Sequence, residues 1–79
     1  MELHWDDYEP TPEERTEVEA WIAANDSPDI GSIAISAEAV FVHGNDEHMS
    51  HSAVRSHHDD LSGALTKAAN TLREGLDNN

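Results

Sequence analysis

The sequence predicts a small α+β domain in which two helices pack on one face of an antiparallel sheet, in the order (β)-α-β-β-β-α. Three observations predict it. A capped segment at 12–25 carries apolar residues at helical spacing. Residues 30–43 switch to a two-residue period rich in β-branched side chains. A second helical stripe fills 61–76. The 79 residues make one domain, 1–79. A chain this short buries about 60% of the surface its unfolded form exposes, so a thin two-layer core is what it can build.

Leu3 and Trp5 alternate with His4 and Asp6, as in a short edge strand or an extended arm within 1–10, and Glu9-Pro10 ends that segment. Thr11-Pro12-Glu13-Glu14 then supplies a hydroxyl N-cap, a proline at the first helical position and a glutamate three residues after the cap. Val18, Trp21 and Ile22 form the apolar stripe of this helix, and Asn25 through Pro28 ends it.

Ile33 and Ile35 share one face of the next strand. Val40 and Val42 share a face of the strand after it, with Phe41 and His43 pointing away. Ala37-Glu38 joins the two without the Gly or Asn of a tight primed turn. Gly44-Asn45-Asp46-Glu47 is a better turn signal, and folding back over it places Val42 opposite Met49 and Val40 opposite His51. The third strand would cover Met49 to Arg55. A helix from Asp46 is its rival, since Met49, Ala53, His57 and Leu61 recur every four residues, but Ser50, Ser52 and Ser56 favour the strand.

The last helix is expected to follow a Ser56 N-cap, with Asp59 and Asp60 in its first turn. Leu61, Ala64, Leu65, Ala68, Leu72 and Leu76 make its apolar stripe. Gly63 would mark a close helix–sheet contact, Gly75 a C-cap, and 77–79 a frayed end.

Charge is the strongest functional signal. Seventeen Asp and Glu oppose four Lys and Arg, for a formal −13. Such a field repels phosphate backbones, which argues against direct nucleic-acid binding, and attracts basic protein surfaces. The same charge also suits solubility or a salty cytoplasm. There are no cysteines, so disulfides and thiolate–zinc sites are excluded and a reducing compartment is expected. With no basic, apolar leader and no run of about 18 apolar residues, the expectation is a cytoplasmic protein without a membrane span.

The function expected first is that of a small acidic interaction or inhibitor protein. It would occupy a basic, normally nucleic-acid-binding surface of a partner protein, offering carboxylates where that surface expects phosphates. The candidate contacts are Asp6 and Asp7 in the arm, Glu13, Glu14 and Glu17 on the first helix, and Asp59 and Asp60 before the last. Trp5 and Tyr8 are candidate aromatic anchors, a residue type that dominates contact hot spots.

Two alternatives come from other classes. One is a structural module that forms a homodimer through the open sheet face around Phe41. The other is metal binding by His43 and His48 with Asp46 and Glu47 beside them, since five of the six histidines fall between 43 and 58. No HExxH or EF-hand loop accompanies them, and on a helix His57 and His58 would point about 100° apart. Ser50-His51-Ser52 and Ser56-His57-His58 lack the strand–turn–helix setting of a nucleophile elbow, and there is no glycine-rich phosphate loop. Neither an enzyme nor a cofactor is therefore expected. Protonating all six histidines would move the formal charge from −13 to −7, so binding to a basic partner should weaken between about pH 7.5 and 5.5.

The αβββα order resembles that of double-stranded-RNA-binding domains, whose basic residues are missing here. In size and charge the chain is similar to phage-encoded inhibitors of host defence and of host nucleic-acid enzymes. That resemblance implies a protein partner in the host cytoplasm.

Overall fold

The computed structural model describes residues 1–45 and 49–77, the side chains of 76 and 77 excepted. The chain runs β1 (Glu2–Trp5), α1 (Pro12–Asn25), β2 (Ile30–Ile35), β3 (Ala39–Gly44), β4 (Ser50–Val54), a 3₁₀ turn (Arg55–His57) and α2 (Leu61–Asp77). The α+β class and the element order are those expected.

α1 starts where its local chemistry dictates. The Glu14 N–H donates to Thr11 Oγ1 at 3.1 Å, and the Thr11 N–H donates to Glu14 Oε1 at 3.0 Å. This reciprocal box satisfies two amides that the first turn would otherwise leave open. At the far end, the Asn25 side chain donates to the Trp21 carbonyl and closes the helix.

The sheet order is β1-β2-β3-β4. β2, β3 and β4 are antiparallel, but β1 joins β2 in parallel, so the sheet is mixed rather than wholly antiparallel. The reason is the helix between them. α1 carries the chain from the end where β1 finishes back to the end where β1 began, so β2 must run the same way. Between β2 and β3, Ser36 does the work of the missing glycine: its Oγ accepts from the Ala39 N–H at 3.1 Å, and its own N–H donates to the Ala39 carbonyl at 2.9 Å. Gly31 is the extra residue of a bulge between the pairs Ile30–Gly44 and Ser32–His43. A Cβ there would stand 3.1 Å from the Gly44 carbonyl oxygen, so the close approach favours glycine.

β4 is a strand, not a helix. It places His51 opposite Val42 and Ala53 opposite Val40, two residues on from the expected register. The Gly44 N–H donates to the Met49 carbonyl, so the closing pair is Gly44–Met49 and the turn falls one residue later than the expected 44–47. A slip of two leaves every side chain on its intended face. Ala53 therefore still points into the core.

Ile33, Ile35, Val40 and Val42 on the sheet are fully buried against Val18 of α1 and Leu65 and Leu72 of α2. Each such aliphatic side chain contributes roughly 1.5–3 kcal/mol on burial. Trp21 is buried too, and its Nε1 donates to Thr66 Oγ1 at 3.0 Å, which ties α1 to α2. Leu3 and Trp5 lie in register with Ile33 and Ile35 and pack half-buried on this core. Both helices thus cover one face, and Phe41, Ser52 and Val54 lie on the other.

α2 begins at Leu61, four residues beyond the start that a Ser56 cap implies. The Arg55 N–H is still bonded to the Glu38 carbonyl, and the His58 N–H closes a tight turn on the Arg55 carbonyl. These bonds occupy the backbone that an earlier helix would need. Asp60 is the cap instead, its Oδ1 accepting from the Gly63 N–H at 2.7 Å. Gly63 accordingly faces this cap and His58 rather than the sheet. Gly75 lies inside the helix and is not its C-cap. No helix among the described residues is long and apolar enough to cross a membrane.

Candidate functional site

The topology gathers three connections at one end of the sheet. β1 ends at Trp5 beside Ile35, the last residue of β2, while β3 begins and β4 finishes at the pair Ala39–Val54. The 6–11 connection, the 36–38 turn and the 55–60 link all lie at this end, and so do the first turns of both helices.

Nine of the seventeen acidic residues lie there. Asp6, Asp7 and Glu9 belong to the first connection, and Glu13, Glu14 and Glu17 to the first two turns of α1. Glu38 is in the turn, and Asp59 and Asp60 precede α2. Of the four basic residues, Arg15 and Arg55 share this end. Two helix N-termini lower the cost of so many carboxylates, because their open amides form the positive poles of the helix dipoles.

Part of this cluster is spent inside the protein. Glu14 Oε1 accepts from the Tyr8 hydroxyl at 2.6 Å, and its Oε2 accepts from Arg55 at 2.7 Å. The same guanidinium donates to the Ser36 carbonyl at 2.9 Å and stacks 4.8 Å from the centre of the Tyr8 ring. The Thr11 amide first, then the Tyr8 hydroxyl, hold the Glu14 carboxyl below its ordinary value. Partial burial opposes them, and Arg55 adds to the lowering. Partial burial likewise pulls Arg55 down, but Tyr8 and Glu14 outweigh it and keep the guanidinium charged. Glu17 reaches across to accept from the Ser62 N–H at 2.8 Å, so α1 helps cap α2.

Glu14, Glu17, Asp59 and Asp60 line one open cleft of about 480 Å³ with Arg55, Ser56 and His58. Of the expected contact residues, Asp6, Asp7, Glu13 and Asp59 are exposed and turned outward. Glu14, Glu17 and Asp60 serve the scaffold. Trp5 and Tyr8 are half-buried, with ring centroids 6.2 Å apart, and brace the arm rather than stand out from it. The Asp6 N–H donates to the Ile35 carbonyl at 2.8 Å, and Asp7 follows in the left-handed region at φ 48°. Aspartate tolerates that conformation better than most residues, which suits this tight exit from β1.

Sequence reasoning missed Glu9, Glu38 and Arg55. Glu38 stood in a recognised turn and could have been counted. The pairing of Arg55 with Glu14 spans 41 residues and left no local signal.

His43 lies on the uncovered face between Ser32 and Ser50. His48, Asp46 and Glu47 are outside the described residues. Among the described residues, no group of three or more His, Asp or Glu is placed to hold a metal ion.

The fold and its site thus define a small α+β protein that carries a carboxylate-rich end built on two helix N-termini. No protein-family model matches the chain, and neither a curated protein nor a solved structure matches it.

Proposed function

We propose that this chain is an interaction protein whose acidic end occupies a basic surface of a partner protein, of the kind that otherwise holds a nucleic-acid backbone. The observation that carries this reading is that nine carboxylates share one end with two arginines, on connections tied by hydrogen bonds, while Glu2, Asp26, Asp29 and Glu74 lie toward the other end. Charges held in place do not have to be ordered on binding, and a field of one sign steers encounter with an opposite one. The outward set of Asp6, Asp7, Glu9, Glu13, Glu38 and Asp59 would make the contacts. The inward set of Glu14, Glu17 and Asp60 holds the end in shape.

The test is displacement of a labelled DNA or RNA duplex from basic, groove-bearing proteins of the host cell. A variant with Asp7→Asn, Glu9→Gln, Glu13→Gln and Asp59→Asn should lose about tenfold in affinity at low salt, a few tenths of a kcal/mol per charge, and show a flatter salt dependence. Asp26→Asn with Asp29→Asn, at the opposite end, should leave affinity within about twofold. Equal losses per charge removed in the two variants would reduce the effect to net charge and defeat the proposal.

A further inference from the structure

Residues 1–9 are held differently from the rest of the chain. No residue in this stretch is buried, whereas β2 buries three, β3 two and β4 one. Met1, Leu3, Trp5 and Tyr8 lie partly exposed against a core whose buried members all come from Val18 onward. β1 has a strand on one side only, and it is four residues long.

What fastens this stretch is concentrated near its end. The Asp6 N–H donates to the Ile35 carbonyl at 2.8 Å. Beyond it, the Tyr8 hydroxyl donates to Glu14 at 2.6 Å and accepts from Arg55 at 3.4 Å. The Arg55 guanidinium also lies over the Tyr8 ring.

Two effects oppose these contacts at the same place. Asp7 holds φ at 48°, a left-handed conformation that aspartate tolerates better than most residues but still at a cost. Asp6, Asp7 and Glu9 also bring their carboxylates to the end that holds Glu13, Glu38 and Asp59. A segment with little buried surface, closed against strain and like charge, opens before the body it rests on.

We infer that residues 1–9 form a strap that opens and recloses as a unit while the body stays folded, with Tyr8 as its fastening. The closed form predominates, and closing completes the acidic end by delivering Asp6, Asp7 and Glu9. A basic partner that binds the completed end more tightly than the open one would draw the strap shut. That coupling rests on the proposed function; the opening does not.

Native-state hydrogen exchange of the full chain tests both parts. The Asp6 amide should be at least about tenfold less protected than those of Leu65 and Ala68 in the interior of α2. Tyr8→Phe keeps the ring and removes the hydroxyl that Glu14 and Arg55 hold. It should lower protection at Asp6 by a further factor of about five and leave Leu65 and Ala68 within about twofold. Asp7→Asn keeps a side chain suited to the left-handed region and removes one charge, so it should raise protection at Asp6. Equal protection at Asp6 and Leu65, or a loss in Tyr8→Phe shared by both, would show that the strap unfolds only with the body and overturn the inference. Poly-lysine, a flexible basic probe, should raise protection at Asp6 by more than at Leu65. If it does not, while the exchange differences stand, the coupling fails and the strap does not.

Discussion

Glu14 joins three parts of the chain through one carboxylate. It completes the cap of α1, receives the Tyr8 hydroxyl and neutralises Arg55, the guanidinium that also fastens the 36–38 turn. Its side chain is 21% exposed, so solvent screens the pair only in part. Glu14→Gln should cost about 1–2 kcal/mol at neutral pH, measured by urea unfolding. The sign of the pH effect follows from the lowered carboxyl. Its contribution is complete above about pH 4.5 and fades as pH falls through the depressed value. The gap between wild type and Glu14→Gln should therefore close on acidification, and a gap that widens below pH 4.5 would contradict this role. The Thr11–Glu14 box was legible because its partners are three residues apart. The Arg55 contact was not, since only folding brings it near.

Elements differ in how locally they are decided. Four consecutive residues start α1, and the two-residue period of β2 and β3 identifies their buried sides directly. The start of α2 is a contest instead. Ser56 offers a cap, but the β4 ladder runs on to Arg55 and the chain needs 58–60 to turn, so Asp60 takes that place. β4 likewise carried spacing for both strand and helix, and pairing with β3 decided it. The stripe of α2 predicts its own energetics. Leu65→Ala, at a fully buried position between helix and sheet, should destabilise by about 2–5 kcal/mol in thermal or urea unfolding. Val54→Ala should stay within about 0.5 kcal/mol for the monomer, being exposed. Comparable losses at the two sites would mean the core is not where we place it.

Over the whole molecule, acidic residues stand at both ends of the sheet, nine where β1, β2 and β4 finish and Glu2, Asp26, Asp29 and Glu74 toward the other. Nine carboxylates at one end against two arginines repel one another, and the helix N-termini offset only part of that. Added salt should raise the unfolding midpoint. Neutralising Asp7, Glu9, Glu13 and Asp59 should raise it at low salt and make it less salt-dependent. A midpoint that is insensitive to salt in both proteins would show that the acidic end carries no electrostatic strain. The acidity was plain from composition, but its placement was not. Asp6, Glu38 and Asp59 are far apart in sequence and come to one end of the sheet because β1, β2 and β4, which they follow, all finish there.

By itself the sequence determined the α+β class, the order of elements, the cap of α1 and most of the buried side chains. Those are set by periodicities and caps that act over a few residues. Tertiary structure decided the parallel pairing of β1, the true start of α2, which carboxylates are spent on Arg55 and the helix caps, and which strand edge stays open. Each of these depends on contacts between segments tens of residues apart, whose geometry exists only once the sheet has formed.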